Sequence, residues 1–351
     1  MDIETKLEII KSEPFEEVIT EQDLRSILET NSHPKHYIGL EISGMLHLGS
    51  LLLNGKKIND FEKAGIKTQI LLADWHTMAN NKFGGDWEKI IRVSAFYRKA
   101  FEKFCPNTKI ILGSDLYKGN DGYWKELIQL SRRTTMARAT RTLIIQGRSE
   151  KETLHVSQYI YPVMQVNDIA ALDVEIPHAG MDQRKVHMLA KELFKELKMK
   201  TIAPVHHHLL QSLLQPAVLD KDATVEEIVA AKKMSKSKPG SAISVMATND
   251  EIKKTIKSAW CPEREIESNP VLELCRYVIF PLKNTLLIER KKEYGGDITY
   301  SNYAELTNDY RNAKLHPMDL KNGIANSLIG ILEPVRREFS GKNGELLDVF
   351  N

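Results

Sequence analysis

Apolar and polar positions divide the chain into two regimes. Up to about residue 245, short apolar runs alternate with longer stretches of helical period; beyond it only the helical period continues. The run Lys35-His36-Tyr37-Ile38-Gly39-Leu40-Glu41 stops at Ser43-Gly44, and a glycine-bearing turn then feeds a helical pattern through Phe61. A second buried run, Thr68 to Asp74, precedes a helix from about Trp87 to Lys103, and a third, Lys109 to Gly113, ends at Ser114-Asp115. Val174-Glu175-Ile176 reads as a further strand before the small-residue turn His178-Ala179-Gly180 and a helix to about Lys198. Strands alternating with helices predict a doubly wound, Rossmann-like parallel-sheet α/β domain, with polar residues gathered just past the C-terminal strand ends where ligands sit in such folds.

The flanks complete the picture. Residues 1–30 read as two short charged helices, a lead-in whose second helix opens at Thr20-Glu21-Gln22-Asp23. The α/β domain is expected over residues 31–246, with a helical insertion at about 120–158. An all-helical C-terminal domain is expected over 247–351; it opens on a cap at Thr248-Asn249-Asp250-Glu251 and continues with helices near 250–259, 270–280, 302–312 and 317–338.

Composition changes this little. A chain of 351 residues, 42% hydrophobic and 27% charged, suits a soluble two-domain protein. A formal charge of +2 gives no global basic field, so any nucleic-acid contact must come from local patches. The three scattered cysteines, Cys105, Cys261 and Cys275, form neither a disulfide framework nor a thiolate zinc site. With no signal peptide and no membrane-length apolar run, a cytoplasmic protein is expected.

Two stretches carry candidate chemistry. Ala231-Lys232-Lys233-Met234-Ser235-Lys236-Ser237-Lys238-Pro239-Gly240 is too cationic for a core segment. It is either a solvated surface run or, given serines and backbone N–H groups between lysines, a polyphosphate-binding loop. In Tyr159 to Asp168 the side chains of Tyr161, Gln165 and Asp168 fall at helical spacing on one face, either a binding face or the polar outer stripe of an amphipathic helix. His206, His207 and His208 cannot share one face, and read as a polar turn rather than a metal site.

Together, His47-Leu48-Gly49-Ser50 after the first strand and Lys233-Met234-Ser235-Lys236-Ser237 far downstream resemble the paired signatures of class I aminoacyl-tRNA synthetases. The resemblance extends over nearly the whole chain, through Tyr37-Ile38-Gly39, Leu71-Leu72-Ala73-Asp74, Tyr161 to Asp168, Gly180 to Lys185 and His316 to Asn322, and is to tyrosyl-tRNA synthetases of the archaeal and eukaryotic type. It implies activation of L-tyrosine with ATP, accompanied by Mg2+ as counterion without a tight protein metal site, then transfer of tyrosyl to the 3′ end of tRNA(Tyr). It implies that His47, Gly49, Ser50, Lys233, Ser235 and Lys236 hold ATP, and that Tyr37 and Asp168 hold the phenol hydroxyl. Tyr161, Gln165 and Gln183 would hold the α-amino group, with Asp74 and His76 close by. For tRNA it points to Arg141, Arg184 and Lys185 at the acceptor stem, and to Tyr294, His316 and Asp319 at the anticodon. Relatives of this kind are homodimers, and the helical stretch Tyr123 to Gly147 is a candidate two-fold interface.

The chain departs from the pattern at Ser50, where the first signature usually ends in histidine, at Ala179 in place of a glycine, and at Met45 in place of a cation. On the residues alone Tyr37 also reads as a core aromatic. The rival readings are a tryptophanyl-tRNA synthetase, a small-molecule adenylyltransferase and a non-catalytic paralogue that binds RNA or a protein partner.

Overall fold

The computed structural model describes residues 1–142, 153–216, 234, 238–341 and 343–350. By backbone proximity the chain groups into two compact units. One comprises Met1–Gly44, Lys57–His207 and Glu345–Asn351, the other Met45–Lys56 and His208–Gly344.

In the first unit the apolar runs form the expected parallel strands: β2 (Lys35–Leu40), β3 (Lys67–Leu72) and β4 (Lys109–Leu112) lie side by side, and β5 (Ile176–Gly180) joins the other side of β2. β6 (Val205–His207) extends the sheet parallel to β5. Helices Asp121–Ser131, Val156–Ala171 and Arg184–Glu196 supply Leu127, Val166 and Leu193 to a core with Tyr37 and Leu71. Helices Ile3–Ile10 and Glu21–Thr30 supply Ile10 and Leu24 to another with Ile176 and Val205. That distribution is the doubly wound arrangement. In the order β1-β6-β5-β2-β3-β4, the order of connection reverses between the parallel strands β5 and β2, the position at which such sheets open a ligand crevice.

Three sequence expectations are corrected here. The lead-in is not purely helical: β1 (Phe15–Val18) separates its two helices and pairs antiparallel with β6, making the sheet mixed. The strand expected at Val174–Ile176 begins at Ile176 and runs to Gly180; Glu175 just before it already bonds to both sides, its N–H donating to Lys35 O at 3.1 Å and its carbonyl accepting from Ala203 N–H at 2.8 Å. The histidine triplet is no polar turn; His206 and His207 lie in β6, buried on alternate faces.

Burial is tolerated because the imidazoles pair with one another. His207 Nδ1 lies 2.8 Å from His178 Nε2, His178 Nδ1 lies 3.1 Å from His36 Nε2, and His206 Nε2 lies 2.9 Å from His187 Nδ1. In each pair one ring donates and the other accepts, which requires the accepting ring to be neutral.

The second unit is built from helices Asn249–Ser258, Pro270–Leu274, Tyr303–Arg311 and Pro317–Glu338, with an antiparallel hairpin of β7 (Leu286–Ile288) and β8 (Ile298–Tyr300) among them. The cap read at Thr248 is present as a reciprocal box: its side chain accepts from Glu251 N–H, and its own N–H donates to Glu251 Oε2 at 2.7 Å. Residues 208–246, read from the sequence as part of the α/β domain, group with this unit. No helix among the described residues is long and apolar enough to cross a membrane.

Candidate active site

In the first unit, the helix Val156–Ala171 buries Asp168 to 1% exposure. An isolated ionised carboxylate there would be prohibitively costly, so it must find donors. Tyr117 Oη and Tyr123 Oη both donate to its Oδ1 at 2.9 Å, and His76 Nε2 lies 3.4 Å from its Oδ2. Burial pushes the Asp168 carboxyl up to about 7; the two phenols oppose that rise and the Asp74 charge adds to it. His76 is pushed down to about 3 by burial alone and is neutral, and among the described residues neither of its ring nitrogens has a hydrogen-bond partner.

Tyr37 on β2 and Tyr161, one helical face from Asp168, are buried as well; burial, with the Asp168 charge as a further cause, raises both phenol pKa values. The Tyr161 ring meets that of His76 edge to face at 4.7 Å between centroids. Along the same helix, half-buried Gln165 donates from Nε2 to Gln183 Oε1 at 3.3 Å. Tyr37, His76, Tyr161 and Asp168 are thus brought together, with a paired set of amides beside them. The polar-stripe alternative for this helix fails, because Tyr161 and Asp168 face inward.

Asp74 plays a different part. It opens the helix Asp74–Ala79 just past β3, and its carboxylate accepts from the Ser114 backbone N–H at 3.0 Å, from Ser114 Oγ at 2.5 Å and from Trp75 N–H at 2.8 Å. It thereby fixes the start of the helix Gly113–Tyr117, which carries Tyr117 to Asp168. A Cβ on Gly113 would stand 2.6 Å from Asp74 Oδ1 and 3.1 Å from the Tyr117 ring. Gly113→Ala is expected to cost about 1–3 kcal/mol of stability by overpacking. Urea unfolding checks this; wild-type stability would mean that the helix start shifts without penalty.

Tyr117 and Tyr123 were not among the residues picked from the sequence. Tyr123 entered only as the start of the helical stretch read to Gly147. The signal that points to them is Asp168 itself, a carboxylate in an otherwise apolar helix that has to be met by donors from neighbouring elements.

The second unit holds the other signature residues. Leu46–Leu48 runs alongside Ile243–Val245: His47 and Ser244 form an antiparallel bridge, Leu48 N–H donates to Ile243 O at 3.0 Å, and Val245 N–H donates to Leu46 O at 3.0 Å. Gly49 then opens a π-helical turn that continues into the helix Asn54–Lys63. A Cβ on Gly49 would stand 3.2 Å from the His47 ring, so glycine lets the imidazole fold against the backbone. Ser50 is half-buried in that turn, where its carbonyl accepts from Asn54 Nδ2 at 2.8 Å. Met234 of the downstream signature is buried, its N–H donating to Leu210 O at 2.7 Å. Lys233, Ser235 and Lys236 lie outside the described residues.

Of the candidate RNA contacts, Arg141, Arg184 and Lys185 are exposed in the first unit, and Arg184 Nε donates to both oxygens of Glu17 at 3.0 and 2.8 Å. In the second unit Tyr294 is exposed next to the left-handed Gly295 and Gly296 between β7 and β8. His316 caps the helix Pro317–Glu338, its Nδ1 accepting from Met318 N–H at 3.1 Å, and Asp319 follows in the first turn.

Residues 29–333 match the family described as tRNA synthetases class I (W and Y). The chain is 43% identical over 370 aligned positions to the tyrosine–tRNA ligase of Thermococcus kodakarensis, covering 99% of this chain and 98% of that protein. Its fold superposes with a TM-score of 0.92 on tyrosyl-tRNA synthetase complexed with L-tyrosine from Pyrococcus horikoshii, at 41% identity, covering 100% of this chain and 99% of the other.

The chain belongs to the tyrosyl-tRNA synthetases.

A further structure of the family, from Archaeoglobus fulgidus and also complexed with L-tyrosine, superposes with a TM-score of 0.85 at 36% identity, covering 96% and 99% of the two chains. The polar cluster of this synthetase gathers a buried carboxylate, a neutral imidazole and a pair of bonded amides among apolar core residues.

Proposed function

We propose that the synthetase activates L-tyrosine with ATP to tyrosyl-adenylate and pyrophosphate, and then transfers tyrosyl to the 3′ end of tRNA(Tyr). Asp168 carries this reading: a buried carboxylate beside Tyr37, with Gln165 on the same helix bonded to Gln183, suits a substrate with a phenol at one end and an ammonium at the other. Tyr37 and Asp168 bond the phenol, Tyr161, Gln165 and Gln183 hold the α-amino group, His76 lines the slot, and Asp74 acts through the Gly113–Tyr117 helix.

Attack of a carboxylate on an α-phosphate needs in-line placement and neutralisation of charge rather than covalent help. His47, Gly49 and Ser50 cradle ATP, which arrives as its Mg2+ complex, and Lys233, Ser235 and Lys236 take the phosphates, above all the departing pyrophosphate. The ladder between Leu46–Leu48 and Ile243–Val245 supports this role, because it ties the first signature to the backbone just after the second. Arg141, Arg184 and Lys185 serve the acceptor stem. Residues 247–351 serve as the anticodon-binding domain, with Tyr294 stacking on a base and Asp319 reading its edge beside His316. The enzyme works in the cytoplasm as a homodimer.

The test is ATP–pyrophosphate exchange. Exchange that depends on L-tyrosine is expected, and dependence on tryptophan, or on no amino acid, would sink the assignment. Lys236→Ala is expected to slow exchange by about 100-fold, the scale of losing one transition-state charge contact, with amino-acid preference unchanged. An altered preference would place Lys236 in the wrong half of the chemistry.

A further inference from the structure

We propose that Tyr117 and Tyr123 are positioning residues for amino-acid selection: by donating to one oxygen of Asp168 they favour its ionised form and turn its second oxygen toward the incoming phenol. The inference rests on the reading of Asp168 as the phenol's acceptor and concerns what makes that acceptor selective.

The argument starts from the surroundings of the charge. Among the described residues no lysine or arginine pairs with Asp168; its sole ion-pair partner is His76, which burial keeps neutral. The groups that face it are Tyr117 from the helix after β4, Tyr123 from the next helix, His76 and the acidic Asp74 from the helix after β3, Tyr37 from β2, and Tyr161 from its own helix. With no cation at hand, hydrogen-bond donors must stabilise the anion, and both phenols donate to the same atom, Oδ1, at 2.9 Å. A proton on Oδ1 would have to displace one of them. Among the described residues Oδ2 has only the weak 3.4 Å approach of His76, which leaves it as the acceptor for a third phenol.

Ionisation matters because selectivity is a penalty. When phenylalanine enters, an ionised Oδ2 is buried without its donor, which costs far more than burying a neutral acid in the same place. A protonated Asp168 would therefore tolerate phenylalanine. The tyrosine pair holds down a rise that burial has already carried to about 7, so that the penalty persists at neutral pH instead of failing there and grows as the pH is raised.

The test compares tyrosine- and phenylalanine-dependent ATP–pyrophosphate exchange from pH 6 to 9 in the wild type, Tyr117→Phe, Tyr123→Phe and the double variant. For the double variant the acid limb of kcat/KM for tyrosine is expected to move up by about one pH unit or more, with selectivity at pH 7 falling about tenfold and the KM for ATP unchanged. Raising the pH to 9 should restore most of the selectivity, an effect that mere loosening of the pocket would not produce. The single variants should show about half the shift, and they decide the matter if the double variant does not fold. In an Asp168→Asn background Tyr123→Phe should move the pH profile no further. A wild-type acid limb and selectivity in folded tyrosine variants would overturn the proposal, as would a shift that persists in the Asn background. Failure of the wild type to exchange with tyrosine would instead overturn the function proposed above.

Discussion

Replacing Asp168 by alanine is expected to cost the synthetase about a thousandfold in its preference for tyrosine over phenylalanine, with the KM for ATP left within about threefold of the wild type. The size follows from the asymmetry of hydrogen bonding. If Asp168 accepts the phenol, phenylalanine strands a buried acceptor, at greatest cost in its ionised form, and removal of the carboxyl removes the penalty as well as the bond. Tyr37 remains as a second polar partner, so some discrimination survives. The variant also leaves the hydroxyls of Tyr117 and Tyr123 without their shared acceptor, costing stability on the order of 1–3 kcal/mol. Exchange kinetics with the two amino acids check the selectivity. An unchanged ratio would remove Asp168 from its role, and a collapse in ATP affinity would show that the pocket had been lost as a whole.

Stability should fall steeply on mild acidification. His36 and His76 are held at about 3 and His206 at about 4, while His178 and His187 lie well below 6.5, burial being the leading cause in every case. The Lys57 charge adds to the depression at His36 and His178. These groups are neutral in the folded protein, whereas in the unfolded chain they take up protons below about 6.5. Their contribution is therefore fully present above pH 6.5 and is lost as the pH falls toward their folded values. Each contributes a slope of about 1.4 kcal/mol per pH unit once the unfolded form is charged. Asp168 works the other way: its folded value of about 7 exceeds the unfolded 3.8, so it gains stability between those limits on acidification and offsets one histidine. The net slope is about 6 kcal/mol per pH unit, set against a typical total of about 5–15 kcal/mol. Cooperative unfolding near pH 5 is expected, well before surface carboxylates titrate. Thermal melts between pH 8 and 5 measure it, and a flat Tm across that range would mean that the imidazole pairs are not neutral.

How much of this was legible varies with the kind of residue. β2 and β3 are flanked by parallel neighbours and β4 pairs parallel with β3, so they read as apolar runs with polar residues at their C-terminal ends, and Asp74 and Ser114 stand where expected. β1 escaped notice because Phe15-Glu16-Glu17-Val18 is a short edge strand with two acidic residues, one of which holds Arg184. β6 escaped notice because a histidine pair looks polar until partners such as His178 and His187 are known, and those lie far away in sequence. The hairpin of β7 and β8 has strands of three residues, too few to establish a period against the helices around it. In the candidate site, Tyr37, Tyr161 and Asp168 were picked from motif and spacing, and the structure gathers them. Tyr117 and Tyr123 were not, because their function lies in the partner of their hydroxyls and not in their place along a helix.

The grouping of Met45–Lys56 with residues 208–344 bears on how such a chain is inherited. Leu46–Leu48 takes its ladder partners from Ile243–Val245, and Leu51, Leu52 and Leu53 are fully buried in the turn that follows. A cut after residue 207 would separate that segment from its ladder and leave backbone donors and several leucines bare. The helical half is therefore not a cassette that recombination can exchange at a single junction. Any graft has to carry a dozen residues from inside the other half, and those residues hold the first signature.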